Sequence, residues 1–243
     1  MEKVFTTHNQ QNKRLKQNKI MLMKHRNILK RFVPIPEQSK SYVSLTFDDG
    51  PDRKYTPKIL DILKGFKVKA SFFLVGKRAE KYPDIVRRIF EEGHDIGNHT
   101  YSHPISPIFK HRIIEREIKV TDKIIEGITG YRPRFFRPTW SRWHINYKKM
   151  LNTAKGLDYL SVSWSISSID WLGTEKLIKH RVLNRDINHG DIILFHDGAE
   201  KALFPKREAT VRVLPEILRT LHKRNILTFK LSELLEKQDR SLA

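Results

Sequence analysis

From Tyr42 to Leu235 the chain alternates short apolar, β-favouring runs with stretches whose apolar residues recur at helical spacing. No other feature restricts the fold as much. A strand, a crossover helix and the next parallel strand form a right-handed βαβ unit, and repetition of that unit builds a parallel sheet. The strand runs are Tyr42–Phe47, Ala70–Val75, His94–Ile96, Phe135–Phe136, Tyr159–Trp164, Ile192–Phe195 and Ile226–Phe229. Thr56-Pro57 opens the first helix, with Thr56 as N-cap and Pro57 in the first turn. A second helix lies around Ile85–Glu92 and is closed by Gly93. A long third, from about Phe109 to Ile128, carries Ile114, Ile118, Thr121 and Ile125 on one stripe. Further helices are expected near Tyr147–Ala154, Thr174–Asn184 and Ala209–Leu221, with a short one at the C-terminus. Seven strands at this spacing suit an α/β barrel with its helices outside. A doubly wound open sheet fits the same pattern. In either fold, a site lies at the C-terminal ends of the strands.

Reactive side chains collect at those ends. The first run stops at Asp48-Asp49-Gly50-Pro51, two adjacent carboxylates followed by turn residues. Neighbouring strand residues point to opposite sides, so one can bind a cation while the other handles a proton. The third run is followed by His99-Thr100-Tyr101-Ser102-His103. Two His four apart meet on one face if that segment makes a helical turn. Joined by an Asp from another strand end, they complete a His₂-carboxylate set with an open position for water, the outline of a hydrolytic zinc site. Arg137 follows Phe135-Phe136 and can clamp a carboxylate in its ionised form. Asp170-Trp171 ends the segment from Ser163, and Trp171 can be core or the wall of a sugar groove. His196 ends the apolar run through Leu194-Phe195. The other His residues read as structural or surface groups.

The totals narrow the class. The chain has 243 residues and no cysteine, so disulfides and thiolate metal sites are excluded. No run is long and apolar enough for a membrane-spanning helix, and Ile20-Met21-Leu22-Met23 is too short for a signal-peptide core. We therefore expect a cytoplasmic or peripherally membrane-associated protein, with export still open. The net charge is +20, and residues 1–40 hold seven Lys, three Arg and two Glu, or +8 of it. Those residues read as a basic arm and linker, with an amphipathic helix over Ile20–Phe32, ahead of a catalytic domain at 41–243. Such an arm favours an anionic surface: wall polymer, membrane or nucleic acid.

Taken together, the motifs resemble the polysaccharide deacetylase family, the family-four carbohydrate esterases with the nodulation-type homology domain. The likeness runs from about Ser41 to Leu235. It rests on Thr46-Phe47-Asp48-Asp49-Gly50, His99-Thr100-Tyr101-Ser102-His103, Arg137-Pro138-Thr139-Trp140, Asp170-Trp171 and Leu194-Phe195-His196 in that order. The resemblance implies a distorted (β/α) barrel of seven or eight strands that removes N-acetyl groups from GlcNAc- or MurNAc-containing glycans. Asp49, His99 and His103 would bind a divalent metal, usually Zn²⁺, with Co²⁺, Mn²⁺ or Ni²⁺ as substitutes. Asp48 would be the general base, kept ionised by Arg137. His196 would be the general acid, paired with Asp170. Trp171 and Leu194 would line the acetyl pocket, and the backbone N–H at Trp140 would help hold the oxyanion. The third motif often reads Arg-Pro-Pro-Tyr-Gly in the family, whereas here it is Arg137-Pro138-Thr139-Trp140-Ser141. Two readings compete with this one: deacylation of another amide such as a lipid-linked amino sugar, and a degenerate relative that only binds anionic surfaces.

Overall fold

A computed structural model describes residues 28–29, 41–104, 111–140, 145–198 and 207–240. The strands are β1 (Ile28–Leu29), β2 (Tyr42–Asp48), β3 (Ser71–Leu74), β4 (Asp95–Asn98), β5 (Phe135–Phe136), β6 (Leu160–Val162), β7 (Ile166–Ser167), β8 (Asp191–His196) and β9 (Leu227–Thr228). The helices are α1 (Thr56–Gly65), α2 (Gly76–Lys81), α3 (Pro83–Glu91), α4 (His111–Thr129), α5 (Tyr147–Gly156), α6 (Glu175–Leu183), α7 (Glu208–Lys223) and α8 (Leu231–Arg240). All strand pairings are parallel, in the order β1-β6-β5-β4-β3-β2-β8-β7, with β9 against the start of β2. β6, next to the β1 end of this order, and β7, at the other end, are joined by only three residues. The path therefore returns on itself through the chain, giving a distorted (β/α) barrel and not a flat doubly wound sheet.

β2 shows why the barrel forms. Its odd-numbered residues Val43, Leu45 and Phe47 face the helices and pack with Ile59, Leu60, Leu63, Val213, Leu214 and Ile217. Phe47 stacks between Phe72 and Phe195, with centroids 5.1 and 5.6 Å away. Each such side chain contributes roughly 1.5–3 kcal/mol by leaving water. The even-numbered residues Ser44, Thr46 and Asp48 face the barrel interior, and all three are buried. They need partners there. Ser44 Oγ donates to the Phe229 carbonyl at 2.7 Å, and Thr46 Oγ1 to the Ile193 carbonyl at 2.9 Å. β2 is thus apolar outside and polar inside, and its inner row leads to Asp48.

The structure corrects several expectations. Ile28–Leu29 is a strand paired with Ser161–Val162, not part of a helix over Ile20–Phe32, and Leu29 is buried with Phe73 and Val162. A piece of the expected arm therefore belongs to the sheet. The rest of residues 1–40 lies outside the described residues. Thr56 does not cap its helix through its side chain. Its hydroxyl instead accepts from the Asp52 N–H at 2.7 Å and donates to Asp197 Oδ2 at 2.6 Å. The expected strand Tyr159–Trp164 is shorter and is followed by a second piece, β7, which pairs with β8. No helix among the described residues is long and apolar enough to cross a membrane.

Candidate active site

Asp48 closes β2 and lies in register with His196 at the end of β8. The following residue, Asp49, takes φ +70°, which swings its carboxylate away from Asp48's environment. Beside it come the imidazoles of the loop after β4. His99 Nε2 is 3.4 Å and His103 Nε2 3.2 Å from Asp49 Oδ1, and the two rings are 5.3 Å apart. The donor atoms of the three residues all lie within 4.8 Å of one another. No helical turn brings the His pair together, contrary to the simplest expectation from their spacing. The segment is a loop kinked at Thr100 (φ +66°) and His103 (φ +47°). Among the described residues, eight non-glycine positions have positive φ, and five of them (Asp49, Thr100, His103, Trp140, Ile169) lie in the loops carrying the site. For a β-branched residue such as Thr100 or Ile169 this costs roughly 1–2 kcal/mol, and strain of that kind concentrates where geometry serves chemistry.

The trio fits a divalent cation. Asp49 Oδ1 is buried and has no hydrogen-bond donor among the described residues. Burial opposes its ionisation, but the imidazoles of His103 and His99 outweigh burial and hold the carboxyl well below the usual carboxylate range. His99 Nδ1 lies 2.7 Å from the Arg137 carbonyl, which can only accept, so Nδ1 donates there and the ring is fixed with Nε2 toward Asp49. Nothing in the set is soft, as expected for a site built of one carboxylate and two imidazoles.

Arg137 is fully buried. Its Nη1 donates to Asp48 Oδ1 at 2.7 Å and to Thr46 Oγ1 at 2.9 Å. Its Nε and Nη2 donate to the Val162 and Ser163 carbonyls at 3.2 and 3.0 Å, and its guanidinium carbon lies 4.0 Å from the centre of the Phe73 ring. Burial pushes its pKa down, and the Asp48 charge pushes back. Arg137 therefore spans the interior from β2 to the β6–β7 junction and leaves Asp48 Oδ2 toward the Asp49–His99–His103 trio, 3.9 Å from His99 Nε2.

On the other side stands His196. Its Nδ1 donates to Asp170 Oδ1 at 2.7 Å, while its backbone N–H donates to Asp170 Oδ2 at 2.8 Å. Thr210 Oγ1 gives Asp170 Oδ2 a further bond at 2.8 Å. Burial alone would lower the His196 pKa, but the charge and hydrogen bond of Asp170 outweigh it and push it up to about 9. Asp170 moves the other way: burial would raise it, and His196 holds it below its ordinary value. Trp171 meets the His196 ring edge-on at 5.3 Å, and Leu194, two residues earlier on β8, shares its side of the strand. Trp140 lies edge-on to His103 at 4.9 Å and donates its indole N–H to the Pro104 carbonyl at 2.8 Å.

All ten expected site residues thus gather at one end of the barrel. Sequence reasoning missed Asp197, Thr210 and Glu117. Asp197 is buried, and an ideal Cβ at Gly50 would fall 2.1 Å from its Oδ2. Likewise a Cβ at Gly198 would fall 2.1 Å from the Asp49 carbonyl oxygen. The loops after β2 and β8 therefore interlock through two glycines. Burial raises the Asp197 pKa to about 7, against the Thr56 hydrogen bond and the Arg78 charge. Glu117 on α4 accepts the backbone N–H groups of Tyr101 and Ser102 at 3.0 and 2.7 Å, which fixes the loop between the two His. The pair Asp197-Gly198 directly after His196 was a readable signal; Thr210 and Glu117 had none, because their partners are 40 and 15 or 16 residues away.

A parallel barrel with an Asp-His-His donor set beside a clamped Asp, and with a His-Asp pair opposite, has the parts of a metal-assisted hydrolytic site. The comparisons agree: the model of the polysaccharide deacetylase family matches residues 36–160, and the chain belongs to that family. A peptidoglycan-N-acetylglucosamine deacetylase of Bacillus cereus is 41% identical over 180 residues; the match takes in 74% of this chain and 64% of that relative's length. A second protein of that name from the same organism is 37% identical, with 83% and 91% covered. A chitooligosaccharide deacetylase of Sinorhizobium fredii is 30% identical, with 81% and 93% covered. A solved peptidoglycan N-acetylglucosamine deacetylase superposes with TM-score 0.75 at 36% identity, covering 86% of this chain and 92% of its own. A CE4 family pseudoenzyme from Bacillus anthracis also superposes, with TM-score 0.72 at 25% identity, covering 86% and 69%. The fold alone therefore does not carry activity, and the side chains must.

Proposed function

We propose that the protein is a metal-dependent hydrolase that removes N-acetyl groups from GlcNAc- or MurNAc-containing glycan. One observation carries this reading: the donor trio Asp49, His99 and His103 faces a base candidate, Asp48, whose other oxygen is held by Arg137, with the His196–Asp170 pair across from it. Asp49, His99 and His103 would hold the cation, zinc in our reading. When bound it supplies Lewis acidity, polarising the amide carbonyl and lowering the pKa of water. Asp48 takes the proton of the attacking water at Oδ2, since Oδ1 is engaged by Arg137. Arg137 orients that carboxylate and balances its charge in the dry interior. The backbone N–H of Trp140 adds a hydrogen bond to the developing oxyanion. His196, held protonated and oriented by Asp170, gives its Nε2 proton to the departing amine, which leaves poorly unless protonated. Trp171 and Leu194 enclose the acetyl methyl. The degenerate reading loses ground because metal, base and acid candidates are all present and mutually placed. Release of acetate from chitooligosaccharides, peptidoglycan and acetylated xylan, with and without chelator, tests the proposal. Chelator-sensitive release from an N-acetylated glycan is expected; release from xylan alone would overturn the amide assignment.

A further inference from the structure

The outer face of α4 carries an excess of positive charge that a single ion pair, Glu115 with Lys119, offsets only in part. Arg112, Arg116, Lys119 and Lys123 recur at helical spacing, are all exposed, and line one surface groove with Glu115 and Val120. They form a single stripe opposite the buried stripe Ile114, Ile118, Thr121 and Ile125. An ordinary solvated helix face mixes signs at i and i+4. Here the i,i+4 pairs Arg112/Arg116 and Lys119/Lys123 are like-charged, and the one acid within the groove, Glu115, is spent on Lys119 at 2.6 Å. The helix dipole makes this worse. It favours acids in the first turn and bases in the last, yet the first turn of α4 holds no acid and the last turn no base. An outside anion that covers such a face relieves the repulsion between its like charges. Its position also matters. Glu117 on the same helix binds the Tyr101–Ser102 backbone between the two His of the donor trio, so α4 is rigidly joined to the site.

We propose that the stripe Arg112-Arg116-Lys119-Lys123 is a docking surface for the peptide carboxylates of a polymeric peptidoglycan strand, and holds that polymer against the barrel while a neighbouring residue is deacetylated. This rests on the reading of the site as a glycan N-deacetylase. A short neutral oligosaccharide carries no carboxylate and would not use the stripe. Docking therefore separates polymer from oligomer without touching any group that does chemistry.

The test compares wild type with the variant Arg112→Gln/Arg116→Gln/Lys119→Gln/Lys123→Gln. Purified sacculi stripped of phosphodiester polymers are the probe, sedimented with the protein over a range of salt. The variant should be retained roughly tenfold or more weakly at low salt, four surface charges each contributing modestly, and its salt dependence should be shallower. Its kcat/KM on chitopentaose should match wild type, and its thermal midpoint should not fall. Amidating the sacculus carboxylates should weaken wild-type retention to the level of the variant. Equal retention of the two proteins would overturn the proposal. So would retention that vanishes on stripping the phosphate polymers, or charge-dependent binding seen only with duplex DNA. If wild type proved inert on chitopentaose and on sacculi alike, the deacetylase reading would fail while the sedimentation result would still decide the docking surface.

Discussion

Replacing Asp170 by Asn isolates what holds the proton on His196. Asp170 supplies a full charge 2.7 Å from His196 Nδ1 and the largest upward push on its pKa. Asn keeps a hydrogen-bonding oxygen but removes the charge. Burial, which lowers the pKa, is then opposed only by the smaller effects of Asp49 and Asp48, and a cation beside Asp49 cancels much of those. The His196 pKa should fall from about 9 to its ordinary 6.5 or below. At pH 8 the protonated fraction would go from about 0.9 to about 0.03, a roughly thirtyfold loss in kcat/KM on an N-acetyl amide. The sign is fixed: the group works protonated, so activity falls as pH rises through its pKa, and the variant's alkaline limb must move to lower pH. The same linkage bears on stability. The raised His pKa stabilises the fold fully below 6.5, and that contribution is lost as pH rises through about 9. The assay is a pH profile of acetate release for both proteins, with metal content measured in parallel. An alkaline limb that stays in place while metal content is unchanged would refute the assignment of Asp170 and His196 as a coupled acid.

Further expectations concern the rest of the site and the sheet edge. His196→Ala should lose far more rate on amides than on activated aryl esters, whose leaving group needs no proton; equal losses would remove His196 from the acid role. His103→Ala should lower divalent metal content, measured by elemental analysis, from one per chain; full occupancy would exclude His103 as a ligand. Arg137→Met leaves the Asp48 carboxylate buried without its partner and should cost about 3–5 kcal/mol in denaturant unfolding; an unchanged midpoint would contradict the buried clamp. Gly50→Ala places a Cβ 2.1 Å from Asp197 Oδ2 and should unfold or empty the site, while adding Asp197→Ala should recover part of the loss; strictly additive effects would deny the interlock. Truncation to begin at Gln38 removes buried Leu29 with β1 and should still fold, at a cost of about 2 kcal/mol; a thermal midpoint equal to wild type would mean that β1 contributes nothing.

Much of the molecule is legible in local pattern. Strand and helix alternation depends on neighbours a few residues apart, so it survives in the sequence and predicts the parallel sheet. The site residues stand out because each is a reactive side chain placed where an apolar run stops, as with Asp48 after Phe47 and His196 after Phe195. The parts decided by tertiary structure all depend on distant pairing. Alternation cannot separate a barrel from an open sheet; the jog between Val162 and Ile166, which hands the chain from β5 to β8, does that. Spacing places His99 and His103 four apart, but left-handed backbone at Thr100 and His103, not a helical turn, aims them at Asp49. An Arg at position 137 reads equally as a surface cation. Only the closed interior, with Thr46, Asp48 and two carbonyls around it, makes it a buried clamp. Register between β2 and β8, set by packing along the whole of both strands, puts Asp48 beside His196 across 148 residues of chain. No local rule contains that pairing, because it is the sheet as a whole that determines which strand ends meet.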